Sequence, residues 1–445
     1  MVLLQRLNRP VIALVAVGLL AAGIRFTALS RPGELIFDEN YYAKDGCLYA
    51  GYSLRECRVT EDAERYWVLS PGAIHEGMPP AGEVGSWVHP PLGKWMISIG
   101  ESLFGPTPFG WRFSAALFGS LTVVLLAGIA QLIWRKPVWT FVAGLLLATE
   151  GLHVVQSRVA LLDVFLGFWV VLGYLLLVVD RRWIGRRDER AWDRRASWAF
   201  IPIEMPRARR RRDQATRSRV PVATSPLWRP WRFAAGVALG AAVATKWSGA
   251  TALMGAIVLS VLWERTRRAR AGRRHPIWRS VQQEGFGIVV LLMIVPIAIY
   301  LLAYSRWWLT NGFHPGQWAV LQDEMASFHR GLSRYKEGTK ELVHPYLSEP
   351  WTWPAITRPV SYYWKAPGAA VVTIGNPAIF WTSVLTVPYL AAAWGRRRDW
   401  SRGLVLVAIL AQWLPWFLFS DRVQFFFYMT PIVPFLVLAA VFALK

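Results

Sequence analysis

The chain has 445 residues, just over half of them hydrophobic (54%), with 26 tryptophans and a mean hydropathy of +0.30. That composition excludes a water-soluble globular domain and marks an integral membrane protein. The formal net charge of +22 raises the question of nucleic acid, but the arginines run between apolar stretches, as topology determinants and lipid-headgroup contacts do.

A helix needs about 20 apolar residues to cross the hydrocarbon core. Ten stretches qualify, at roughly 10–29, 112–134, 138–156, 159–180, 232–248, 249–263, 287–304, 371–394, 402–420 and 423–443. The division of 232–263 into two rests on a break from Lys246 to Gly249. Lipid offers no partner for backbone polar groups, so each stretch is predicted helical and the fold class is an all-α integral membrane protein. Arg6 and Arg9 before the first apolar run resemble a secretion signal, but further spans follow and there is no clean small-residue cleavage site. The first stretch is read as an uncleaved anchor.

Arginines gather in 181–232 and 265–279 and at Arg396-Arg397-Arg398. Counting spans puts all three on the side of the N-terminus, and the positive-inside rule makes that side cytoplasmic. The basic cytoplasmic loop 181–231 is rich in arginine and proline and is predicted to be partly disordered. Two long loops, 30–111 and 305–370, then lie outside, the first of them acidic on balance. Within the first loop, Leu92, Trp95, Met96, Ile99 and Leu103 predict a short helix lying in the interface over 92–104. The second is rich in Trp, Tyr, His and Pro and is predicted to lie on the membrane surface. The two cysteines, Cys47 and Cys57, share the first loop, where an oxidising face permits a disulfide; two free thiols are the alternative. There is no P-loop, GxGxxG or HExxH motif, and no internal repeat. No metal-ligand spacing exists apart from the acidic pair Asp38-Glu39, so no cofactor is certain and a divalent cation is left open.

That pair follows the first span, in Ile36-Phe37-Asp38-Glu39-Asn40-Tyr41-Tyr42. By the same topology, Arg112, Arg158, Asp163, Lys246 and Asp421-Arg422 all fall at the outer interface. Costly charges that converge on one level mark a site. Arg158 with Asp163 also reads as a plain interhelical ion pair, and Lys246 as a snorkelling lysine. Arginines at a lipid interface suit a phosphate headgroup, and a neighbouring carboxylate suits removal of a hydroxyl proton, worth about 10²–10⁴-fold in rate. In Val88-His89-Pro90-Pro91-Leu92-Gly93-Lys94-Trp95 the prolines stiffen a segment that can hold His89 and Lys94 against an anionic headgroup.

These stretches, taken in order, resemble the protein O-mannosyltransferases. The match runs through Phe37-Asp38-Glu39, His89-Pro90-Pro91-Leu92-Gly93-Lys94, Trp111-Arg112, Ser157-Arg158 with Asp163, and Thr245-Lys246-Trp247. It continues through His344-Pro345-Tyr346 with Ser348 and Trp353-Pro354, and ends in Arg422 to Pro431, so it covers nearly the whole chain. The resemblance implies a GT-C glycosyltransferase body of about 10–11 transmembrane helices with two long outer loops. It implies a polyprenyl-phosphate-mannose donor, a Ser/Thr-containing polypeptide acceptor, membrane lipids as surroundings and coupling to the secretion machinery, with no nucleic acid. It makes Asp38 the general base, Glu39 its support or the group that positions the acceptor, and Arg112 and Arg422 the phosphate contacts. His89 and Lys94 assist the headgroup or shape the first loop, and His344 helps form the acceptor side. The family inverts the anomeric centre in one displacement. Fungal and animal members carry MIR domains in the later outer loop; 305–370 is too short for them, which implies a bacterial member in the plasma membrane. Eleven spans are usual and ten are found before Lys445, so either a last helix is missing or two spans are merged. Three other readings remain: a GT-C enzyme with a lipid or glycan acceptor, a transporter or flippase, and a membrane scaffold. A transporter binds at the bilayer midplane, whereas these charges gather at one face.

Overall fold

The computed structural model describes residues 2–59, 88–198, 226–270, 275–336, 338, 339, 341–365 and 367–445. Each of the ten predicted spans coincides with a helix, though bounds differ. Six helices are long and apolar enough to cross a membrane by length and composition: α1 (Val2–Phe26, from Arg9), α4 (Pro108–Trp134), α7 (Leu162–Trp198, to Arg190), α10 (Pro276–Ala303), α13 (Pro377–Arg397) and α14 (Trp400–Trp413, continued to Leu418). Shorter apolar helices are α5 (Pro137–Ala148) and α15 (Val433–Leu444). Between them lie α8 (Pro230–Thr245) and α9 (Gly249–Arg270). The remaining α-helices are α2 (Glu39–Tyr49), α3 (Leu92–Phe104), α6 (Gly151–Gln156), α11 (Ser305–Asn311) and α12 (Pro315–Gly331).

Local chemistry sets the helix starts. Thr107 caps α4 by accepting from the Gly110 amide, with Pro108 at the first helical position. Asn376 and Asp399 cap α13 and α14 in the same way. The predicted break at Lys246–Gly249 is real: Lys246 leaves α8 in extended conformation and α9 restarts at Gly249. Only glycine fits there, since a Cβ would stand 2.5 Å from the Ala242 carbonyl carbon. The core runs through α4, α5, α7, α8, α9, α14 and α15, with Tyr174, Phe435 and Leu239 fully buried.

The structure departs from the sequence expectations in three places. The second loop carries a β-hairpin, Val360–Lys365 (β1) paired antiparallel with Ala369–Thr373 (β2), so the stretch predicted as helix from 371 begins as strand. The last helix starts at Val433, ten residues late, because Phe426–Met429 coils tightly before Pro431 and Pro434. Part of 181–231, predicted partly disordered, is helical, as α7 runs on to Trp198 and α8 begins at Pro230; residues 199–225 lie outside the described residues.

Not all the arginines expected to meet lipid headgroups do so. Arg229, Arg232, Arg267 and Arg268 are drawn inside a network with Asp180, Asp188, Glu264 and Glu284. It ties α7, α8, α9 and α10 together at the end of the bundle opposite Asp38.

Candidate active site

The chain builds the site by ending helices at one level. Asp38 follows α1 and precedes α2, Asp163 opens α7, Lys246 sits between α8 and α9, and Arg422 between α14 and α15. A cavity of about 720 Å³ opens there, lined by Asp38, Tyr41, Tyr42, His89, Lys246, Trp247, His329, Arg422 and Tyr428. One wall is apolar, with Trp416, Leu418 and Phe419 beside the charged rim of Asp421, Arg422 and Arg330.

Side by side in sequence, Asp38 and Glu39 meet opposite fates. Glu39 begins α2 and turns into the protein, where it has no solvent exposure. Its carboxylate accepts from Arg112 Nε and Nη2 at 2.7 Å each, from the Ile36 amide at 3.1 Å and from the Ala160 amide at 3.0 Å. Asp38 precedes the helix, and its side chain makes no capping bond. Among the described residues its carboxylate accepts no hydrogen bond. It is half-buried, open on the cavity and enclosed elsewhere. Burial pushes its pKa up to about 6, against the opposing pull of the Lys246 cation and with a further push from Asp163. A carboxylate without partners and with a raised pKa is suited to take a proton.

The cations divide in the same way. Arg112 is fully buried; beyond Glu39 it donates to the carbonyls of Leu29, Pro32 and Glu34. It does not line the cavity where the sequence expectation put a phosphate ligand; its guanidinium is taken up by the acidic segment. Lys94 is off the cavity as well: it is buried on α3, 3.1 Å from Asp45 on α2. Arg422 does reach the cavity, partly exposed. Lys246 lines it too, with Nζ 2.9 Å from both Asp163 oxygens and 4.8 Å above the Tyr428 ring. Asp163 therefore pairs with Lys246. Arg158 is not its partner, because Arg158 donates to the carbonyls of Ile24, Arg25 and Ala28 at the end of α1. His89 lines the cavity, its ring 5.1 Å from that of His329, and burial holds its pKa well below the ordinary value. His344 does not line it: Nδ1 accepts from the Tyr346 amide and the ring packs edge-on to Phe425. That ring begins an aromatic row, Phe425 to Phe427 to Phe37 and Tyr362, which reaches the residue before Asp38. Cys47 and Cys57 form a disulfide with Cα atoms 5.6 Å apart, at the far end of α2 from Asp38. Among the described residues no three His, Cys, Asp or Glu side chains gather as a metal site.

Sequence reasoning passed over His329. Its signal was faint: Phe328-His329-Arg330, one basic helix end among many, whose neighbours come from elements 241 and 93 residues away.

A multi-helix membrane body with a carboxylate-and-cation cavity at one end has the GT-C glycosyltransferase fold. The Saccharomyces cerevisiae protein O-mannosyltransferase Pmt1-Pmt2 complex bound to the sugar donor matches with a TM-score of 0.67 over 98% of this chain and 85% of that one, at 13% identity. ArnT from Cupriavidus metallidurans bound to undecaprenyl phosphate matches at 0.53 over 98% and 60%, at 18% identity. In sequence, residues 81–200 match the profile of dolichyl-phosphate-mannose-protein mannosyltransferases, and 315–445 that of the C-terminal four-helix region of protein O-mannosyltransferases. The polyprenol-phosphate-mannose–protein mannosyltransferase of Mycolicibacterium smegmatis is 34% identical over 94% of this chain and 79% of its own length. The chain belongs to the protein O-mannosyltransferase family.

Proposed function

We propose that this chain transfers mannose from a polyprenyl-phosphate-mannose to a Ser or Thr hydroxyl of a polypeptide, with Asp38 as general base. The observation that carries the reading is the Asp38 carboxylate, without a hydrogen-bond partner among the described residues, in a cavity that also holds Arg422 and Lys246. Asp38 takes the hydroxyl proton as the acceptor oxygen bonds to the anomeric carbon, and the bond from that carbon to the phosphate oxygen breaks. The phosphate leaves with an added negative charge, which the Arg422 and Lys246 cations stabilise. A single displacement inverts the anomeric centre and leaves no sugar on the enzyme. Glu39 and Arg112 hold the base in place without entering the reaction. The chain is read as a bacterial plasma-membrane protein with a cytoplasmic N-terminus and an extracytoplasmic site, where secreted polypeptides arrive from the secretion machinery. The basic runs on the other side support that orientation.

The test is transfer of radiolabelled mannose from polyprenyl-phosphate-mannose to a Ser/Thr/Pro/Ala-rich peptide by membranes containing this chain, with Asp38→Asn as control. Label on the peptide with the unaltered chain alone supports the reading. Label retained by Asp38→Asn removes Asp38 from the mechanism. Label on lipid in place of peptide changes the acceptor class.

A further inference from the structure

We propose that His329 is a positioning residue that aims Arg422 at the donor phosphate; this rests on reading the cavity as the donor site. His329 stands near the end of α12, and two groups of this one residue hold the guanidinium. Its Nδ1 accepts from Arg422 Nη2 at 2.9 Å and its backbone carbonyl accepts from Arg422 Nε at 3.2 Å. The other ring nitrogen, Nε2, lies 3.0 Å from the Val88 carbonyl. A carbonyl can only accept, so Nε2 carries the proton and Nδ1 keeps the lone pair that faces Arg422. The ring is therefore neutral and of one tautomer. Burial and the Arg422 cation agree, holding its pKa down to about 4.

Among the described residues, the remaining guanidinium nitrogen of Arg422, Nη1, has no hydrogen-bond partner. A long side chain is thus fixed at two nitrogens and left with donors for an anion in a cavity that faces Asp38. The imidazole also spans three separate segments. Val88 precedes the stiff Pro90-Pro91 stretch of the first loop, α12 belongs to the second, and Arg422 lies between α14 and α15. His89 at 5.1 Å and Trp247 at 5.8 Å flank the ring.

The experiment measures binding of polyprenyl-phosphate-mannose to the purified full chain, and transfer separately, for His329→Asn and His329→Gln, each alone and with Arg422→Ala. Asn places an amide oxygen near the position of Nδ1, and so restores the acceptor for Arg422. Gln places an amide nitrogen near Nε2, and so keeps only the Val88 contact. His329→Gln should weaken donor binding about tenfold, the lower end for one charge-assisted hydrogen bond, and should lower kcat too, since the departing phosphate draws on the same guanidinium. His329→Asn should stay within about threefold of the unaltered chain. With Arg422→Ala present, His329→Gln should add nothing. Equal losses for Asn and Gln, or a Gln effect that persists beside Arg422→Ala, would overturn the proposal. If His329→Gln does not fold, Arg422→Lys serves: it keeps the charge without the two-point hold, and donor binding at the unaltered level would be equally fatal. An unaltered chain that binds donor but transfers no mannose defeats the function reading alone, and His329 is still judged by binding. One that binds no donor defeats both.

Discussion

Replacing Arg112 by alanine separates a structural clamp from a substrate ligand. Arg112 donates five hydrogen bonds: two to Glu39 at 2.7 Å, and one each to the carbonyls of Leu29 at 3.3 Å, Pro32 at 2.6 Å and Glu34 at 3.0 Å. Neither side chain of the ion pair has any solvent exposure. Removing one partner of such a pair leaves an uncompensated buried charge and costs about 3–5 kcal/mol, which lowers the ratio of folded to unfolded chain by roughly 10²–10⁴-fold. The loss should appear as a lower melting midpoint and yield of the detergent-solubilised chain. Removing both charges together, as Glu39→Leu with Arg112→Met, should recover only part of it: no unpaired charge stays buried, but the Leu29, Pro32 and Glu34 carbonyls and the Ile36 and Ala160 amides lose these partners. Arg422→Ala should show the reverse: near-normal melting with weakened donor binding. The reasoning fails if Arg112→Ala melts like the unaltered chain while its donor KM rises tenfold or more.

Asp38→Asn should lower kcat by about 10²–10⁴-fold and leave the melting midpoint unchanged or higher, since the fold disfavours the charge that is removed; a chain that melts earlier would count against that account. Transfer should rise with pH through about 6, because the base must be deprotonated, and a rate already flat from pH 4.5 upward would exclude Asp38 as that base. The sign for stability is opposite: a carboxyl raised from 3.8 to about 6 favours the fold below the lower value, and that contribution is lost as pH climbs through the upper one. Lys246→Met removes the cation that pulls the Asp38 pKa down, so the acid limb of the pH–rate profile should move to higher pH; a limb that stays in place would show that Lys246 does not act on Asp38.

Much of this was legible in the sequence because membrane spans and terminal charges are local signals. The ten apolar stretches, the break at Lys246–Gly249 and the helix at 92–104 each follow from a few adjacent residues. The convergence of Asp38, Lys246 and Arg422 followed from counting spans. What was not legible is which member of a charged set faces the cavity. Asp38 and Glu39 are equivalent as letters, and only the start of α2 turns one inward. Arg112 and Arg422 carry the same group, but their partners come from segments 73–83 and 93 residues away. The second strand escaped because Ala369–Thr373 is apolar and ends only a few residues before α13, so hydropathy alone merges the two.

The apolar rim has a kinetic meaning. Leu418 and Phe419, 81% and 53% exposed, stand next to Asp421 and Arg422 at the mouth of the cavity. A donor whose phosphate reaches Arg422 while its prenyl chain stays against those residues never leaves the bilayer. The enzyme then responds to the donor's mole fraction in the surface, not to its amount per volume of solution. Adding inert phospholipid at constant total donor should slow transfer by dilution in two dimensions, and the dependence on peptide acceptor should be unchanged.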